Sequence, residues 1–184
     1  MKPNRHHPAL RVLHWAIAAL IIAALVLGTF VMARLPNSDP GKVFLLLKHM
    51  LAGALVLALT LLRWFIRPRT ARPAPAPSGI DWADRLLMPL VHRIFDALIV
   101  LMIISGVTMA LASGLPQIVF AGHGSLPESF AALPLHTLHV LVARVLAAFI
   151  ALHVAGALYH QFVLRDGLLS RMSLSLRARA RSST

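Results

Sequence analysis

The sequence predicts an all-α protein: a transmembrane four-helix bundle with both chain ends on the cytoplasmic side. Three observations predict it. Of the 184 residues, 58% are hydrophobic and 13% charged, where soluble domains carry about 25% charged residues. Four apolar runs, near 12–33, 43–66, 87–112 and 137–163, each reach the roughly 20 residues that a hydrocarbon core about 30 Å thick requires. The basic residues alternate in side. Lys2, Arg5 and Arg11 precede the first run; Arg63, Arg67, Arg69, Arg72, Arg85 and Arg93 surround the second connection; Arg165, Arg171, Arg177, Arg179 and Arg181 follow the fourth run. Only Arg34, Lys42 and Lys48 fall to the other side. Positive charge collects on the cytoplasmic face, which sets the orientation.

These runs leave no room for a second domain, so residues 1–184 form one membrane unit. The net charge of +12 is then an orientation signal with affinity for anionic lipid rather than a nucleic-acid surface. There is no cysteine. Disulfides, thiolate-held iron–sulfur clusters and covalently attached c-type haem are thereby excluded. A redox cofactor must be held non-covalently, and the ten histidines are the candidates.

The first run is longer than the 7–15 apolar residues of a signal peptide, and Arg34-Leu35-Pro36 is a poor cleavage site, so it reads as a retained helix. His14 and Trp15 lie in its first turn. Residues 34–42 form a short periplasmic turn punctuated by Pro and Gly. The second span carries Lys48 and His49 about two turns inside, and a histidine at that depth requires a partner. Arg63 and Trp64 close it. Residues 67–80 read as a Pro/Ala/Arg linker. The third span opens with His92 and Asp96 one turn apart on one face, Asp96 being the one acid in any span. Gly106 reads as a close-packing position. Residues 113–135 form the longest periplasmic loop, apolar enough to lie on the bundle as a lid. Residues 165–184 are a basic cytoplasmic tail.

The fourth span, from His136 to His160, carries four histidines. His139 and His153 are 14 residues apart, about 40° short of four full turns and about 21 Å along the axis. One helix thus presents two imidazoles on one face at two depths, as it would to hold two stacked haems. His136 stands about 100° from His153, so His139 is preferred. Chain direction sets the levels. His49 and His139 fall near the periplasmic side; His14 falls near the cytoplasmic side between His153 and His160. Spacing leaves those two open as its partner.

His14-Trp15, Lys48-His49, His139 and Leu152-His153, on four spans at these intervals, resemble the bacterial cytochrome b561 family over nearly the whole chain. The resemblance implies a four-helix inner-membrane protein with two b-type haems, their irons ligated by His49 with His139 and by His14 with His153. It further implies either a superoxide oxidase, passing electrons from periplasmic superoxide to ubiquinone, or a cytochrome subunit serving a dehydrogenase or hydrogenase. With two axial imidazoles such an iron transfers electrons and does not bind oxygen. Lys42 and Lys48 are expected to draw superoxide to the outer site. Arg144 and Arg63 are expected near cofactor, Arg144 against the outer propionates. His92, Asp96 and His160 are expected to supply the protons that quinone reduction takes up. A haem-free, histidine-lined proton or metal transporter is the third reading.

Overall fold

The computed structural model describes residues 6–71, 88–165, 169, 172 and 173. Residues 72–80 of the expected linker, residues 81–87 that follow it, and most of the basic tail lie outside them. Among the described residues there is helix and turn but no strand. Four helices are long and apolar enough to cross a membrane, making this a multi-pass membrane protein.

Helix α1, Pro8–Val26, starts where the His7 ring accepts the Ala9 N–H at 3.3 Å, with Pro8 at the first helical position, where a missing N–H costs nothing. It widens into a π-helical stretch, Leu27–Val31, and tightens into a 3-10 turn, Met32–Arg34. Helix α2, Gly41–Ile66, begins with the Asp39 carboxylate accepting the Gly41 N–H at 2.7 Å. Helix α3, Met88–Ala112, ends at Gly114, whose φ of 66° is a left-handed conformation suited to glycine. Helix α4, Leu115–Ala121, is a short lid element, followed by α5, Pro134–Tyr159, which runs on as a π-helical stretch, His160–Leu164. Helices α1, α2 and α5 start two to four residues ahead of the apolar runs, because proline and capping contacts set their first turns.

The bundle is two pairs: α1 packs along α2, and α3 packs along α5. Outward faces carry exposed Phe44, Leu111, Leu152 and Phe162, as a surface solvated by lipid requires. At the end away from the termini, here the distal end, Leu115 of α4 is 2% exposed and packs with Leu46 and Ala110, flanked by Met32, Met50, Val119, Leu126 and Phe130. The loop is therefore a lid. Asn37 donates to the Pro127 carbonyl at 2.7 Å, tying it to the opposite turn. At the terminal end Trp15 Nε1 donates to the Met172 carbonyl at 3.0 Å, and Arg11 donates to that of Ser173. The chain beyond α5 is thus drawn back across the start of α1.

Lys42 departs from expectation. Read as a surface cation, it is buried, and its ammonium donates to the carbonyls of Met32 and, at 2.7 Å, Leu35. It satisfies the acceptors that the end of the first span leaves open. Lys42→Met keeps the stem and removes the donor. The expected loss is about 1.5–3 kcal/mol, as for a hydrogen bond to a charged group, read as a lower thermal midpoint. An unchanged midpoint would show that these carbonyls need no ammonium.

Candidate functional site

Two histidine pairs meet across the gap between the helix pairs, with His14, His49 and His139 half-buried and His153 exposed. The rings of His49 on α2 and His139 on α5 have centroids 6.2 Å apart at 74°. Those of His14 on α1 and His153 on α5 are 6.4 Å apart at 65°. Metal–imidazole bonds of about 2.0 Å on opposite sides of one ion put ring centroids about 6 Å apart, so both pairs have the separation of axial ligands.

Glycines shape the distal pair. A Cβ on Gly106 of α3 would stand 3.1 Å from His139 Cε1 and 3.5 Å from its Nδ1. A Cβ on Gly28, in the π-helical stretch of the first span, would stand 3.5 Å from His49 Cε1. Each ring thus lays its Nδ1–Cε1 edge against a glycine on a neighbouring helix. The close approach at Gly106 serves a histidine ring, where sequence suggested helix packing. Ser105, beside it, places its hydroxyl 2.9 Å from His139 Nδ1. Each pair also joins helices that do not pack directly together: α5 has no contact with α1 or α2 comparable to its contact with α3. A flat macrocycle held between two imidazoles needs that arrangement. The residues present fit haem, each pair supplying two nitrogen donors.

The expected rivals separate. It is His139, one turn deeper than His136, whose ring stands beside His49, and His153 whose ring stands beside His14. His160 lies two turns further, at the start of the π-helical stretch, edge-on to Tyr159 at 6.3 Å. A competitor that sequence did not raise is His92, its ring 6.4 Å from His153. His92, however, sits on α3, which packs along α5, so a macrocycle between them would have to part helices in contact. Phe95, 5.3 Å from His153 and 6.2 Å from Phe149, fills that seam. Among the described residues no three His, Cys, Asp or Glu side chains converge, as a metal site built wholly from side chains would need.

Arg63 and Asp96, expected at separate tasks, form an ion pair between α2 and α3, each side chain 18% exposed. Arg63 Nε is buried with no hydrogen-bond partner among the described residues, as is Thr60 Oγ1 one turn earlier. Lys48 is exposed, its ammonium 4.1 Å from the centre of the Phe44 ring, a cation–π contact. Arg144 is not brought to the outer pair. Five residues after His139 it points about 140° away around the helix and is exposed on the outward face, so its expected contact with propionates is not supported.

Residues 5–173 match the family model for prokaryotic cytochrome b561. The chain is also similar to cytochrome b562 of Cereibacter sphaeroides, at 30% identity over 164 residues that cover 87% of this chain and 89% of that protein.

Proposed function

The chain belongs to the prokaryotic cytochrome b561 family of haem b membrane electron-transfer proteins, and from that premise we propose a di-haem oxidoreductase that oxidises superoxide at the distal end and reduces ubiquinone at the terminal end. One observation carries this reading: α5 offers His139 to His49 and His153 to His14 at two depths. Those four histidines would hold two b haems. Haem held by these imidazoles would supply one-electron transfer rather than dioxygen binding.

The basic residues favour cytoplasmic termini in a bacterial inner membrane and a periplasmic distal end. Superoxide loses one electron and leaves as dioxygen. A quinone takes up two electrons and two protons, so two superoxide anions are consumed per quinol. Lys48, Arg34 and the buried Lys42 concentrate positive charge at the distal end, which draws an anion in a salt-sensitive manner. Because Lys42 also holds the end of the first span, Lys48→Gln alone tests the attraction. At the terminal end His92, Asp96 and His160 are the candidate proton carriers, with the Asp96 carboxylate held by Arg63. The Nε–H of Arg63 is a donor suited to a cofactor carboxylate.

His160→Ala should depress steady-state quinol formation more than the stopped-flow rate at which superoxide reduces the haems. Equal falls in both, or a quinone found against the His49/His139 pair, would overturn the assignment of ends. A second reading, a subunit relaying electrons from a dehydrogenase or hydrogenase, is favoured by Arg144. A charge exposed on the outward face of a span is costly in lipid and would be answered by an acid on a partner's helix. Retention of such a partner in wild type and its loss in Arg144→Leu would support that reading.

A further inference from the structure

The two ligands of the distal pair are treated differently by their surroundings. His49 Nδ1 is buried and has no hydrogen-bond partner among the described residues. His139 Nδ1 lies 2.9 Å from the hydroxyl of Ser105, a residue 2% exposed. That hydroxyl is itself committed, donating to the Met102 carbonyl at 3.0 Å within α3. With its proton used there, the oxygen meets Nδ1 with a lone pair, and the Met102 carbonyl offers the same ring a second acceptor, so Nδ1 carries the ring proton and Nε2 is left as the metal donor. Gly106 completes the seat, since a Cβ there would press on Cε1 of the same ring at 3.1 Å.

We infer that Ser105 is a positioning residue that fixes His139 as an Nε2 donor and, by accepting its Nδ1–H, lowers the reduction potential of the haem at this pair. A hydrogen bond accepted from the far nitrogen leaves more electron density on the ring. The ligand becomes more basic and the ferric iron is favoured. His49, lacking such an acceptor, contributes no matching effect, so the adjustment is made from one side. The inference rests on His139 being an axial ligand, and the test separates the two.

Wild type, Ser105→Ala, Ser105→Cys, Ser105→Thr and His139→Ala are purified from membranes. Bound haem, the redox titration of each haem and the low-spin ferric resonance signals are then compared. In Ser105→Ala the reduction equilibrium of one haem should move toward the reduced form by about tenfold, the lower end of outer-shell effects. That is an upward shift of about 59 mV for a one-electron couple. The other haem should stay in place, and only one of the two resonance signals should change. Ser105→Thr, which keeps the hydroxyl, should titrate as wild type. Ser105→Cys, close in size and a weaker acceptor, should shift the same haem in the same direction by less, and it carries the test if the alanine variant does not accumulate. The inference is overturned if the Ala or Cys variant titrates as wild type, or if both haems move together. His139→Ala retaining both haems would instead overturn the ligand assignment beneath it.

Discussion

Replacing His139 by alanine is expected to remove one haem and leave the other, and replacing His153 to do the reverse. The two sites are about 21 Å apart along α5, and sites so far apart respond independently. Each variant should therefore halve the bound haem while the remaining one keeps its potential and its low-spin spectrum. The distal and terminal pairs differ in their partners, so His49→Ala should match His139→Ala, and His14→Ala should match His153→Ala. Haem content per chain and the reduced absorption spectrum provide the measurement. Retention of both haems in His139→Ala, with loss of one in His136→Ala, would contradict the distal pairing. A terminal haem that survives His14→Ala and is lost in His92→Ala would move that ligand to α3.

Asp96→Ala is expected to be the most destabilising change away from the histidines. It removes the carboxylate that pairs with Arg63 among the described residues, where the Arg63 side chain is 18% exposed. Breaking one member of a buried pair costs about 3–5 kcal/mol, mostly from the charge left behind, whereas replacing both by apolar groups is often neutral. The double variant Arg63→Met with Asp96→Ala should accordingly recover most of the loss. Unfolding in mixed detergents, followed by loss of haem absorbance, reads both. A double variant no more stable than Asp96→Ala would show that Arg63 is held by something other than this carboxylate.

What was legible in the sequence follows from costs that lipid makes large. Polar groups in a span are expensive enough that His49 and His139 stood out by depth, and helical spacing then assigned face and level, while His153 and His160 stayed open as the partner of His14 until the family resemblance chose His153. The same reasoning gave the four spans and the apolar lid. Spacing along one helix says nothing, however, about how neighbouring helices are turned toward each other. Asp96 was read beside His92 because they share a face of α3, while its partner Arg63 lies across on α2. Arg144 was placed by depth at the outer site, although its bearing of about 140° from His139 turns it outward. Lys42 looked like turn charge because the carbonyls it serves belong to the preceding span. Ser105 and Gly28 carry no signal of their own. A serine or glycine in a span is common in helix packing, and only the ring edges of His139 and His49 reveal what these two accommodate. The helix α4 did leave a trace, in glycines on either side of Leu115–Ala121 that both take left-handed conformations.

The coupling of superoxide oxidation to quinone reduction is tested most directly with the purified protein, a ubiquinone analogue and superoxide as the sole electron donor. The account predicts rapid appearance of the reduced b-type spectrum, followed by quinol at one per two superoxide anions, with the rate falling as ionic strength rises. Haems that stay oxidised under superoxide, yet are reduced at once by a co-purifying dehydrogenase or hydrogenase, would contradict it.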